Sequence, residues 1–331
     1  MRNGQKPGRR ARLLLPVAAV LLSAALAPAQ QDKLAQAHAA LDAGEADKAL
    51  GLLYALPQNG ANNAEAQNLA CRVYLTLKQW DQAASRCEAA TRLDGGNSNL
   101  HLWLGRALGE RAGHISFLSA YSLGKRSRAE FETAVRLSAR NADALSDLGE
   151  FYVEAPGVVG GGQDKAERVI AQLEPVDSAR AHQLRARLAE ARKDYGAAER
   201  EFRAAIASSP HPALHWTTLA SFFRRRQRWQ DVEAAVHSAY AAASHDRGAT
   251  VALYDGAGVL IESHRDPGFA SKMLEAYLAS SGKTEEGPAF EAHLRLARLK
   301  AQFGDRAGAE HERTQALALA HAYKPAQEAK F

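Results

Sequence analysis

Cysteine and methionine are scarce: the 331 residues contain two of each. No paired-cysteine pattern occurs, so a cysteine-built zinc site is excluded. No run of alternating apolar and polar residues is long enough for a sheet. The glycines form no Gly-x-Ser-x-Gly elbow. The stretch from Gly157 to Lys165 lacks the Gly-Lys-Ser/Thr end of a phosphate loop, because Gly162 is followed by Gln163, Asp164 and Lys165. His211 and His215 stand four apart, but Pro212, Ala213 and Leu214 between them lack the glutamate of a zinc-protease helix. No catalytic set, metal site or cofactor is therefore expected. What abounds is alanine, leucine, glutamate and arginine, all helix formers.

Net charge is missing too, once the N-terminus is set aside. Arg2, Lys6, Arg9, Arg10 and Arg12 precede an uncharged apolar stretch from Leu13 to Ala27. Ala27-Pro28-Ala29 then supplies small residues for cleavage before Gln30, so residues 1–29 read as a signal peptide. The 15 apolar residues fall short of the roughly 20 that span a bilayer. No integral span is expected in the mature chain, and the periplasm is the expected location. Secretion, or anchoring through an uncleaved signal, is the alternative. The chain's 42 Lys+Arg against 37 Asp+Glu include the five bases of residues 1–29. The mature chain is thus balanced, and nothing supports a nucleic-acid partner, which needs a retained basic surface.

The informative pattern is one that returns. A small residue sits between a large one and an aromatic, as in Trp216-x2-Leu219-Ala220-x2-Phe223. The slot recurs at Ala37, Cys71, Gly105, Gly149, Ala186, Ala220, Gly258 and Ala297, in steps of 34, 34, 44, 37, 34, 38 and 39 residues. A period in this range means stacked supersecondary units rather than one closed core. Each unit reads as two amphipathic helices joined by a short turn. In the sixth, Trp216, Leu219 and Phe223 stripe the first helix, Gln227 to Trp229 make the turn, and Val232, Val236 and Ala239 face back. The small residue lets the backbones approach; a larger one costs roughly 1–3 kcal/mol by overpacking.

This grammar resembles the tetratricopeptide repeat family, whose pattern is W-x2-L-G-x2-Y…A-x3-F…P. The resemblance runs from Gln30 to about Tyr323. It implies an all-α, right-handed superhelical solenoid over residues 30–331, with about eight repeats near 30–63, 64–97, 98–141, 142–178, 179–212, 213–250, 251–289 and 290–323. It also implies a scaffold that binds a protein or peptide partner non-covalently along its concave surface. Envelope assembly, secretion or polysaccharide export are contexts implied by family analogy alone. The alternative is a self-associating periplasmic scaffold. The last helix, about Arg306 to Ala320, is followed only by a short tail, so an uncapped apolar end could stack on another copy.

Two units depart from the pattern. The third carries about ten extra residues within Glu110–Arg126, predicting a lengthened helix pair around the apolar run from Ile115 to Tyr121. The fourth carries Ala155-Pro156-Gly157-Val158-Val159-Gly160-Gly161-Gly162 at its inner turn. That turn resembles one in an exported bacterial branch of the family and, more distantly, the regulator-of-microtubule-dynamics family, which implies fold only. Both insertions should meet on one edge, either as a partner site or as packing that adjusts curvature.

The candidate binding residues follow from register. In this family the residue after the small slot lines the concave groove: here His38, Arg72, Arg106, Glu150, Arg187, Ser221, Val259 and Arg298. Asn68, Gln183 and Thr217 share that face. The set Asn68, Arg72, Arg106, Gln183, Arg187 and Arg298 suits an acidic or C-terminal segment, since arginine pairs with planar carboxylates. The competing reading pairs the arginines internally, for example Arg106 with Asp147. The Lys/Asn/Lys/Arg carboxylate clamp of chaperone-binding members is not found. Cys71 and Cys87 fall in apposed slots of one hairpin, and export would allow a disulfide; two buried reduced thiols are the alternative. His101, His182 and His293 take the large slot of the first helix, as packed, half-buried rings.

Overall fold

A computed structural model of the chain describes residue 1 and residues 31–56 and 63–331. The segment read as a signal peptide, residues 1–29, lies outside the described residues apart from Met1. Among the described residues the secondary structure is helical, with no strand. Helices pair along the chain. The first pair is α1 (31–42) with α2 (Ala46–Tyr54), and the second is α3 (Ala64–Thr76) with α4 (Trp80–Leu93). Next come α5 (Ser98–Ala112) with α6 (Phe117–Leu137), and α7 (Ala142–Glu154) with α8 (Gln163–Leu173). The pairs α9 (Ser178–Ala191) with α10 (Tyr195–Ser208) and α11 (Pro212–Arg225) with α12 (Trp229–Ala243) follow. The last are α13 (Val251–Glu262) with α14 (Pro267–Ala279) and α15 (Ala289–Gln302) with α16 (Arg306–Leu319), before a short α17 (Lys324–Gln327).

Local chemistry starts and stops these helices. Asn63, Asn141 and Asp177 each accept a hydrogen bond from a backbone N–H of the following first turn, and so satisfy one of its orphan donors. The turns inside six units place residues at positive φ: Gly44, Lys78, Lys193, Gln227 and Gly304, and in the seventh unit both His264 and Asp266. The third and fourth units, which carry the insertions, have no such residue at their turns apart from Gly160.

The small slots work in two ways. At Gly105 an added Cβ would stand 2.5 Å from the Phe131 ring of the partner helix in the same unit. At Gly149 it would collide with Leu184 of the next unit's α9, and at Gly258 it would press on Arg295 of α15. The slot therefore permits close approach within a hairpin and also between neighbouring first helices. Neighbouring first helices accordingly touch, as α3 with α5, α5 with α7, α7 with α9, and α11 with α13.

The eight pairs bring the chain's end back to its beginning. Phe290 and Leu294 of α15 and Ala316, Ala320 and Tyr323 near the C-terminus share one buried cluster with Leu41, Ala46, Ala49 and Leu69. Polar contacts reinforce the join: the His321 N–H donates to Asp47 at 2.8 Å, and Lys78 pairs with Glu291 at 3.3 Å. Gly44 is central to it. Its φ is +73°, and a Cβ there would run into the backbone nitrogen of Ala289. This corrects the expectation of an uncapped C-terminal end. The apolar face of α16 and the tail is covered by α17 and by the first two units.

The insertions meet as expected. The extra length in the third unit extends α6 to 21 residues. Its Gly124 approaches Val159, and its Arg128 lies against Gly160 of the fourth-unit turn. In that turn the N–H groups of Gly160, Gly161 and Gly162 donate to Gly157, Pro156 and Tyr152 carbonyls at 2.9, 3.2 and 2.9 Å. Donors spent on the loop itself are not free for a phosphate.

Candidate functional site: a central cavity

Ring closure turns the concave face into an open central cavity of about 1160 Å³, adjoined by a smaller one of about 380 Å³. Glu150, Asp255 and Arg295 border both. The walls come from the inner faces of the first helices, from the insertion turns through Tyr121, Pro156 and Val159, and from the α14–α15 connection through Glu285 and Glu286.

That connection, residues 280–288, lies across the inner face as a strap. Tyr277 anchors it: the phenol donates to the Gly287 carbonyl at 2.6 Å and accepts from the Thr284 N–H at 3.1 Å. From the strap Glu285 takes a fork from Arg72, Nη2 to Oε1 at 2.7 Å and Nε to Oε2 at 2.9 Å. The side chains are only 11% and 13% exposed. A parallel, water-poor arginine–carboxylate fork is the strong form of this contact.

Three of the four ladder arginines, Arg72, Arg106 and Arg187, are consequently paired within the chain, while the exposed Arg298 is not paired among the described residues. Arg106 donates to Asp147 through Nε at 2.6 Å, and this partner outweighs burial to raise its already high pKa. The indole of Trp103 lies between the two guanidinium groups, 4.9 Å from Arg72 and 4.6 Å from Arg106, so both cations also lean on a π face. Arg187 pairs with Glu154 and, at 3.6 Å, with Glu190. Arg295 lies 3.9 Å over the Tyr254 ring and pairs with Glu291 at 3.2 Å. Burial would push Glu291 up, but Arg295 and Lys78 hold it below the usual carboxylate range.

The carboxylates outnumber these cations around the larger cavity, and three besides the exposed Glu110 have no partner. Among the described residues no hydrogen bond or ion pair reaches the side chain of Glu150, Asp255 or Glu286. Their protonation reflects that isolation. Burial, with Asp147 and Glu154 beside it, raises Glu150 to about 7, against the pull of Arg187 and Arg106. Burial and then Glu286 raise Asp255 to about 7, opposed by Arg295. Glu286 is also raised, by desolvation and by Glu285 and Asp143, with Arg106 and Arg180 opposing.

The sequence-derived candidates divide. Arg72 and Arg106 line the larger cavity, and Gln183 and Arg187 line the smaller. Asn68 is buried at 3% exposure and Arg298 is exposed; neither borders these cavities. Gln183 is held by the His215 ring at 3.0 Å, and burial lowers the pKa of that ring. Cys71 and Cys87 lie wholly buried between α3 and α4 with their sulfurs bonded. The histidines of the large slot share one arrangement. His101 meets Glu130 at 2.6 Å, while His182 meets Glu201 and His293 meets Glu312, each at 2.7 Å. His211 pairs with Asp246 instead, apart from His215.

Comparison with known proteins agrees on architecture. The chain is similar to TTC0263, a thermophilic TPR protein of Thermus thermophilus, with a TM-score of 0.50 at 17% identity over 59% of this chain and 98% of that one. The fold is a tetratricopeptide-repeat solenoid. A second similar structure is the APC/C hetero-tetramer Cut9-Hcn1, at a TM-score of 0.47 and 17% identity, where 80% of this chain matches 48% of that one. No protein-family profile matches the chain, and no curated relative does.

Sequence register located much of this solenoid's inner face. The residue after the slot borders a cavity at Arg72, Arg106, Glu150, Arg187, Ser221 and Val259. Asp255 was missed, although it stands three before its slot, the offset already noted at Asn68, Gln183 and Thr217. Glu285 and Glu286 had no such signal, because the strap lies between repeats and obeys no helical period.

Proposed function

We propose that this protein is an exported scaffold that holds a segment of a protein partner non-covalently in its central cavity, in envelope assembly, secretion or polysaccharide export. The observation that carries this is the cavity itself: eight helix pairs close around it and leave it open, lined by aromatic faces and by charges with no internal partner. A rigid concave wall suits an extended segment, because little of the host must be ordered on binding. The arginine ladder on its own would draw an acidic segment, but such a segment must first displace Glu285, Asp147 or Glu154 from their arginines. End-to-end stacking would use the C-terminal apolar face, which ring closure covers.

Site-directed photocrosslinking in the cell envelope tests the reading. A crosslinking residue at Ser221, on the smaller cavity, is compared with one at exposed Arg203 on an outer helix. A discrete partner segment captured at 221 and not at 203 is the expected outcome. Capture at 203 alone would move binding to the convex face and overturn the proposal.

A further inference from the structure

We infer that the segment received by the cavity is basic, presenting lysine or arginine side chains to the carboxylates of Glu150, Asp255 and Glu286. This rests on the cavity being the partner site and names the chemistry it selects. Three observations carry it.

First, the cations of the inner wall are satisfied and the surplus carboxylates are not. Arg72, Arg106, Arg187 and Arg295 each hold an acid of this chain, while Glu150, Asp255 and Glu286 hold none. A ligand carboxylate would compete for occupied forks; a ligand ammonium meets vacant acceptors.

Second, the three acids come from separate parts of the ring yet line one cavity. Glu150 is on α7, Asp255 on α13 and Glu286 on the strap. Asp255 is mostly buried, and it borders both cavities, as Glu150 does. Such a carboxylate without a partner is costly unless something positive arrives.

Third, the apolar lining suits the stem of a long basic side chain. Phe151 and the tip of the insertion turn at Val158 and Val159 line the same cavity as the acids. Lysine and arginine lay their methylenes on such surfaces and project the charge beyond.

The protonation of these acids supplies a signature. Glu150 faces Asp147 and Glu154 on its own helix, Arg187 on α9 and Arg106 on α5. Asp255 faces Glu286 on the strap and Arg295 on α15. Glu286 faces Arg106, Glu285, Asp143 and Arg180. With Glu150 and Asp255 both raised to about 7, these acids are in part protonated at neutral pH. A bound cation favours the ionised forms. Binding therefore releases protons and tightens as pH rises; an anionic segment would do the reverse.

Isothermal titration calorimetry on the mature chain tests this with capped pentalysine, capped pentaglutamate and spermine. Titrations run at pH 6, 7 and 8, in phosphate and in Tris, with salt near 0.15 M to screen surface charge. We expect pentalysine to bind, to release protons, and to tighten about threefold or more from pH 6 to 8. E150Q/D255N should weaken it by about tenfold and abolish the proton release. Glu286→Gln, on the strap, provides a second variant that leaves every helix untouched. Absence of pentalysine binding, or binding indifferent to these variants, would overturn the inference. So would preferential binding of pentaglutamate, or spermine binding as tightly as the peptide. These results leave the photocrosslinking outcome standing, so failure of the basic class is distinguishable from failure of the cavity as partner site.

Discussion

Replacing Asp255 by asparagine removes a charge that the folded chain disfavours. Burial and then the facing Glu286 lift its carboxyl from an ordinary 3.8 to about 7, with Arg295 pulling the other way. Because the folded value lies above the unfolded one, the folded state binds the proton more tightly, and stability falls as pH rises between them. The penalty is fully present above about pH 7 and vanishes as pH drops toward the unfolded value near 4. A gap of about three units corresponds to roughly 4 kcal/mol at full strength. Asp255 is in part reachable by cavity water, which screens its charge and brings the expected figure to about 2 kcal/mol. Asparagine has nearly the shape of the protonated acid and does not titrate. The variant should therefore be about 2 kcal/mol more stable than the natural chain at pH 8 and nearly equal to it at pH 4.5. Urea unfolding followed by circular dichroism at pH 4.5, 6, 7 and 8 measures the difference. A gap independent of pH, or a variant less stable at pH 8, would refute the reasoning, since it would mean that Asp255 makes a favourable bond as an anion.

Two further outcomes concern the frame of the ring. Gly44→Ala should cost about 1–3 kcal/mol and expand the molecule in small-angle scattering, because the new methyl meets the Ala289 backbone at the closure. Gly304→Ala, at φ +83° with open space around it, should cost only about 1 kcal/mol and leave the size unchanged; equal behaviour of the two would argue against closure through Gly44. Cys71 and Cys87 are 16 apart in sequence. Protein isolated without reductant should have an intact mass two hydrogens short, and reduction should lower stability by about 3 kcal/mol. A mass that retains both thiol hydrogens would show the pair reduced.

The inner wall was legible where a periodic rule reached it. Arg72, Arg106, Glu150 and Arg187 share one offset from the small slot, and a helix carries every residue at that offset to the same side. Asn68 and Arg298 show the limit of the rule. Asn68 is buried, and Arg298 is exposed outside both cavities although Arg295, three residues earlier on α15, borders them. The pairing of Arg106 with Asp147 was one of two readings open at the level of sequence, because the two side chains stand 41 positions apart yet lie one helix over. No such reasoning reaches Arg72 and Glu285, which are 213 positions apart.

Local pattern thus determined the repeating unit: its helices, its small slots, its turns and its inner register all follow from a period near 34 residues and from short-range sterics. Tertiary structure decided the rest. Small rotations from each unit to the next accumulate around the solenoid, and whether they bring the first unit onto the last depends on all eight interfaces together. Their sum placed Gly44 against Ala289, covered the C-terminal apolar face, laid the strap across the groove, and left Glu150, Asp255 and Glu286 unpaired around one cavity.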